Sequence, residues 1–150
     1  MDNESYIKEC ILLARKSEKK DEIPVGAILV KNNTVLSRAH NMSISLNDPT
    51  AHAEINAIRE ACIKVNNYRI ANSTLYTTLE PCPMCISAIC EARIDRVIFG
   101  AYADKEKNFI SKFEFMKKKF TLNHTPEFIG GVLEKECSLV IKKFFKAKRC

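Results

Sequence analysis

The chain has 150 residues, 46% apolar and 28% charged, an ordinary globular composition that fits one domain and leaves no room for a second. Its 24 Lys and Arg against 18 Asp and Glu give a formal charge of +6, which favours an anionic partner without naming one. The opening "MDNESYIKEC" is acidic and the longest early apolar run, "IPVGAILV", is far too short to cross a bilayer, which excludes a membrane protein and predicts a cytoplasmic one. Seven cysteines is an odd number, and without a secretory signal they read as reduced thiols, some of them metal ligands. No repeat, linker or low-complexity tract interrupts residues 1–150.

From Ser5 to about Lys20, Ile7, Cys10, Ile11, Leu12 and Ala14 recur at helical spacing among charges, which predicts an amphipathic helix over one face of a sheet. "VGAILVK" and "TVLSRAH" are β-prone runs divided by "NN", the pattern of a hairpin. The sheet therefore starts antiparallel. Asp48, Pro49 and Thr50 are helix-start residues, and Ile55, Ile58, Cys62 and Val65 follow at helical spacing. "STLYTTLE" reads as a strand, "MCISAICEARI" as a helix and "RVIFGA" as a strand, the alternation of a parallel sheet with crossover helices. "EFIGGVL" supplies a fifth strand, and Cys137, Val140, Ile141, Phe144 and Phe145 stripe a last helix. The predicted fold is α/β, a three-layer α/β/α sandwich on a mixed five-stranded sheet.

Two stretches carry chemistry. "YTTLEPCPMC" at 76–85 ends a strand with two prolines among two cysteines, and "DPTAHAEINAI" places a histidine and a glutamate two apart at the start of a helix. Catalytic zinc takes three protein ligands and leaves the fourth tetrahedral position to water. His52, Cys82 and Cys85 form such a set. Both groups open helices, where free amides and the positive end of the dipole favour thiolates. Pro81 and Pro83 stop the strand and set the start of the helix behind it. A structural site needs a fourth ligand, but Cys90 stands roughly 140° around a helix from Cys85. Cys10, Cys62 and Cys137 show no metal spacing and read as core residues. Cys150 reads as merely terminal. His40 and His124 sit in no paired motif and read as surface or loop residues.

Glu54 admits two compatible readings. An acidic residue in a first helical turn complements the dipole for under about 1 kcal/mol. Beside zinc, which lowers the pKa of water towards about 7, the same carboxylate is a proton shuttle.

"HAE" at 52–54 and "PCPMC" at 81–85 resemble the established H-x-E and P-C-x-x-C signature of the zinc-dependent cytidine and adenosine deaminase superfamily. From Pro24 onward the chain is similar to the bacterial tRNA-specific adenosine deaminases, through "PVGAILV", "HN" at 40–41, "DPTAHAEI", "TLYTTLEPCPMC", "RVIFGA", "LNH" at 122–124 and "GGVLEKECSLVIKKFF". The resemblance implies one zinc ion per chain on His52, Cys82 and Cys85, with Glu54 shuttling protons. It further implies that Asn41 hydrogen-bonds the purine near Val25 and that Ala53 offers its backbone to the base. The implied reaction is hydrolytic deamination of adenosine to inosine at the wobble position, the partner a tRNA anticodon stem-loop, the assembly a homodimer. A base in a loop leaves its stack cheaply.

One segment departs from the pattern. After "FGA" that family often carries an Arg-Asp pair and glycines, whereas this chain reads "YADKEKNF" at 102–109, so no residue role is carried over from it. Lys142, Lys143, Lys146, Lys148 and Arg149 crowd the end, and fit equally a solvated helix face or a phosphate-facing patch; Lys117 to Lys119 repeat the ambiguity. A free-base guanine deaminase shares "NDPTAHAE" and "EPCPMC"; the basic balance and the closing segment weigh against it. Cytidine deaminases usually carry glycine and arginine where Pro83 and Met84 stand. A noncatalytic RNA-binding or partner subunit of the same fold has no need of Glu54.

Overall fold

In the computed structural model, which describes residues 1–148, helix α1 (Asn3–Lys19) leads into a hairpin of β1 (Gly26–Lys31) and β2 (Thr34–His40). Asn32 and Asn33 make the turn at positive φ, 51° and 59°, where Asn is tolerated better than most residues. Then follow α2 (Ala53–Val65), β3 (Ser73–Leu79), α3 (Pro83–Glu91), β4 (Arg96–Ala101), α4 (Phe109–Phe120), β5 (Glu127–Ile129) and α5 (Glu134–Lys148). The strand order is β2-β1-β3-β4-β5. β1 pairs antiparallel with β2 and β3, while β3, β4 and β5 run parallel. The mixed five-stranded sheet is as the sequence predicts.

Alternation along the strands builds the layers. Leu29, Leu75 and Val97 point to one face, where Ala57, Ile58 and Ile89 of α2 and α3 cover them. Ile28, Tyr76 and Ile98 point to the other, under Ile7, Cys10 and Cys137 of α1 and α5. Period-two strands between period-3.6 helices thus give the three-layer sandwich. Cys10 and Cys137 are core residues and Cys62 packs at the core edge, as their helical spacing predicts.

Three boundaries and one whole helix differ from the sequence reading. α1 starts at Asn3 because Asp2 caps it, accepting from Ser5 N–H at 2.8 Å. α2 starts at Ala53, not at Asp48: the Asp48 carboxylate turns on Thr50, taking its N–H at 2.9 Å and its hydroxyl at 2.7 Å. β5 keeps only the first three residues of "EFIGGVL", because Gly131 takes a φ of +88° and bends the chain away. α4 has no counterpart in the sequence reading. Its buried residues Phe109, Phe113 and Met116 share one face, but exposed Ile110, Phe115 and Phe120 blur the stripe. That face closes an aromatic cluster, with Phe109 5.2 Å from Phe99 and Phe113 4.7 Å from Phe128 between ring centres.

Phe145 also departs from expectation: it is 40% exposed and lines a groove, leaving Phe144 as the buried aromatic of α5. Lys148 pairs with Asp21 and lies 5.7 Å over the Phe144 ring. Arg149 and Cys150, read above as basic tail and terminal cysteine, lie outside the described residues. No helix among the described residues is long and apolar enough to cross a membrane.

Gly26 sets how closely α1 approaches the sheet. A Cβ there would stand 2.0 Å from the Cys10 carbonyl oxygen and 2.9 Å from the Ala14 nitrogen. Both are backbone atoms, so the helix itself has to move. Gly26→Ala is expected to cost about 1–3 kcal/mol or more of stability, the range of core overpacking, read as a lower urea midpoint.

Candidate active site

His52 is the N-cap residue of α2, with extended φ and ψ of −67° and 156° and no side-chain capping bond. Its ring is committed elsewhere. Nδ1 stands 3.6 Å from the Cys82 sulfur and 3.6 Å from the Cys85 sulfur, across thirty residues or more of sequence. Cys82 is likewise the uncapped N-cap of α3, with Pro83 at the first helical position and Cys85 in the first turn. The prolines do what the sequence reading asks of them: a fixed φ starts the helix where the strand must stop.

All three ligand atoms lie within 4.8 Å of one another, and no other such group occurs among the described residues. The donor set fits zinc. Tetrahedral bonds near 2.3 Å to sulfur and 2.05 Å to nitrogen put those two atoms about 3.6 Å apart, the spacing seen here. Cys82 is the more acidic sulfur: the Cys85 thiol donates to it, outweighing burial, and brings it down to about 5. The same bond, with burial, pushes Cys85 up.

Glu54, in the first turn of α2, is buried and faces the same cleft. Burial pushes its carboxyl up, and the Cys85 thiol beside it works the other way. The cleft holds about 150 Å³ and is lined by His52, Ala53, Glu54, Cys82, Asn41 and Val25. Cys85 joins His52 and Cys82 with its sulfur within 4.8 Å of their ligand atoms, so the metal, shuttle and base-contact residues of the sequence reading converge on one place. Asn41 donates from Nδ2 to the Ile23 carbonyl at 3.2 Å and accepts at Oδ1 from Ser43 N–H at 3.3 Å and Ser43 hydroxyl at 3.0 Å. Cys90 is buried away from the trio. His40 lies at the end of β2, and His124 is a loop residue bonded to the Ile94 carbonyl at 2.8 Å.

The family profile for the cytidine and deoxycytidylate deaminase zinc-binding region matches residues 1–101, which include the whole trio. The chain belongs to this deaminase family. It is 47% identical to the tRNA-specific adenosine deaminase of Buchnera aphidicola subsp. Baizongia pistaciae, over 99% of this chain and 91% of that one. A solved structure from work on A-to-I editing by tRNA:A34 deaminases superposes with a TM-score of 0.83 at 38% identity, covering 91% of this chain and 98% of the other. A guanine deaminase from Bacillus subtilis matches at 33% identity and a TM-score of 0.66, over 99% and 94%.

Three further residues of this deaminase line the cleft: Ile23, Leu79 and Glu80. Sequence reasoning passed over Glu80, although it stands inside "LEPCPMC". Its carboxylate takes the backbone N–H of Ala103 and so ties the end of β3 to the 102–109 segment. That segment is pinned again by Asp104 to Lys107 N–H at 2.9 Å and by Lys107 to Glu134 at 2.8 Å. Beside the cleft, sharing Leu79, runs a groove of about 730 Å³ with Tyr102, Lys105, Lys107, Lys142 and Phe145 along it.

Glu22 was also passed over. Burial alone would raise its carboxyl, but hydrogen bonds from Ser45 and Ile44 outweigh that and hold it below its ordinary value of 4.5. A group depressed by folding stabilises above its unfolded pKa, and the gain disappears as pH falls through the lower folded value. In zinc-matched samples, Glu22→Gln is therefore expected to be less stable at pH 7 and to lose less on acidification below about pH 4.5. Denaturant midpoints of both proteins from pH 7 to pH 3 read the difference.

Proposed function

We propose that this chain hydrolyses adenosine to inosine at the wobble position of a tRNA anticodon, with His52, Cys82 and Cys85 holding one zinc ion. The convergence of that trio with buried Glu54 in one small cleft carries the reading. Zinc, when bound, supplies Lewis-acid activation of the attacking water. The chain's own side chains do the rest. Glu54 accepts the proton of the attacking water and delivers protons to the purine ring nitrogen and the departing amine. Asn41 has two amide hydrogens and gives one to Ile23, leaving the other for the purine. Val25 forms apolar wall. Ala53 opens α2, where a backbone N–H has no intrahelical acceptor.

A cleft of about 150 Å³ admits a single base, so flanking nucleotides must lie outside it. The adjoining groove suits them, with Lys105 and Lys142 for phosphate and Tyr102 and Phe145 for stacking. That groove favours RNA over the free guanine of the second reading. The same proposal carries a single catalytic domain over residues 1–150, a cytoplasmic setting and a homodimer. Ile63 and Tyr68 stand exposed near the end of α2, apolar surface of the kind a second copy covers.

Elemental analysis is expected to find about one zinc per chain, and Cys82→Ser or Cys85→Ser to strip most of it; full retention in both rules out the ligand set. Incubation with a stem-loop carrying wobble adenosine, beside free guanine and cytidine, is expected to yield inosine and neither xanthine nor uridine. Glu54→Gln keeps shape and zinc but accepts no proton, so its turnover is expected to fall at least about a hundredfold.

A further inference from the structure

Glu22 is fully buried in the short segment between α1 and β1, yet it lies outside both motifs. Its two oxygens accept from Ile44 N–H at 2.9 Å, Ser45 N–H at 2.8 Å and Ser45 hydroxyl at 2.7 Å. Its own N–H donates to the Ser17 carbonyl at 2.9 Å. The Ser17 hydroxyl donates to the Asn41 backbone carbonyl at 3.0 Å, and the Asn41 backbone N–H donates to the Val25 carbonyl at 3.1 Å. Ser43, next to the clamped residues, donates twice to Asn41, whose Nδ2 returns to Ile23, next to Glu22. The bonds close a ring around one side of the cleft.

A buried carboxylate is costly unless hydrogen-bonded. Here it holds a turn whose side chains Ile44 and Leu46 are exposed, so burying that turn is not what it accomplishes. What the clamp does fix is the amide of Asn41. A carbonyl facing Nδ2 and two donors facing Oδ1 admit only one orientation of the amide plane, provided residues 23 and 43 stay where Glu22 puts them. Charge-assisted bonds are about twice as strong as neutral ones, which suits an anchor for a turn on the surface.

We propose that Glu22 is a positioning residue for the deamination: through residues 43–45 and Ile23 it orients Asn41 in the cleft. The proposal rests on the reading of that cleft as the adenosine site. Glu22 touches no reacting atom; it acts through the Asn41 amide and the Ile23 wall.

Glu22→Gln keeps the volume but turns an NH₂ group on backbone donors. In the zinc-loaded full chain, amide exchange at Ile44 and Ser45 is expected to speed up and the Asn41 side-chain amide signals to shift. On the wobble-adenosine stem-loop, kcat/KM is expected to fall about tenfold, as misplaced groups do, with stem-loop Kd unchanged. The same change added to Asn41→Ala is expected to cost less than about twofold, because both act through one contact. Losses that multiply instead, or unmoved Asn41 signals, overturn the proposal. Ser45→Ala removes one of the three bonds and is expected to fall between Glu22→Gln and the wild type; full wild-type kcat/KM in it also overturns the proposal if Glu22→Gln does not fold. Should the wild type leave the stem-loop untouched, the functional reading fails, and the exchange rates and amide signals alone decide whether Glu22 orients Asn41.

Discussion

Two helix starts must meet for anything else in this molecule to matter. His52 stands at the N-cap position of α2 and Cys82 at that of α3, and the 3.6 Å between imidazole nitrogen and each sulfur is a constraint that the whole sheet serves. β3 delivers Cys82 by ending where Pro81 and Pro83 force it to, and β1, antiparallel beside it, brings Val25 to the same end. Neither N-cap side chain satisfies its own helix. Each start lacks the capping bond that Ser, Thr, Asn or Asp would supply for about 1 kcal/mol, and both side chains are turned towards each other instead. That is local instability exchanged for a metal-ready geometry.

Belonging to the deaminase family accounts for the sandwich and the trio together, since fold alone never names a chemistry. What narrows the chemistry here is size. A cleft of about 150 Å³ beside a groove of about 730 Å³ with lysines and two aromatics is what the proposed flipped nucleotide and its flanks require. The net positive charge is spread unevenly in use: Lys112, Lys107 and Lys148 have carboxylate partners in the protein, so bare counts of basic residues overstate what is offered to phosphate.

Much of this was legible before any coordinates. Ligand spacing, proline placement and strand alternation are local signals, and they located β1 to β4, α2, α3 and the trio. The losses had physical causes. α4 hides because Phe115 and Phe120 face outward and break its stripe. The start of α2 was misjudged because Asp48 forms its own turn with Thr50, which from sequence looks the same as a cap. Glu22 carries no local signature at all: its partners lie more than twenty residues away, and only the folded chain puts a charge under that turn.

Glu80 holds the 102–109 segment by a backbone N–H, that of Ala103, rather than by a side chain. Every amino acid except proline presents that donor. Residue 103 can therefore change to anything but proline while its attachment to the end of β3 survives. The two kinds of tie divide the loop: position 103 is held by its backbone whatever side chain it carries, while positions 104 and 107 are held only by the carboxylate and the ammonium they bear.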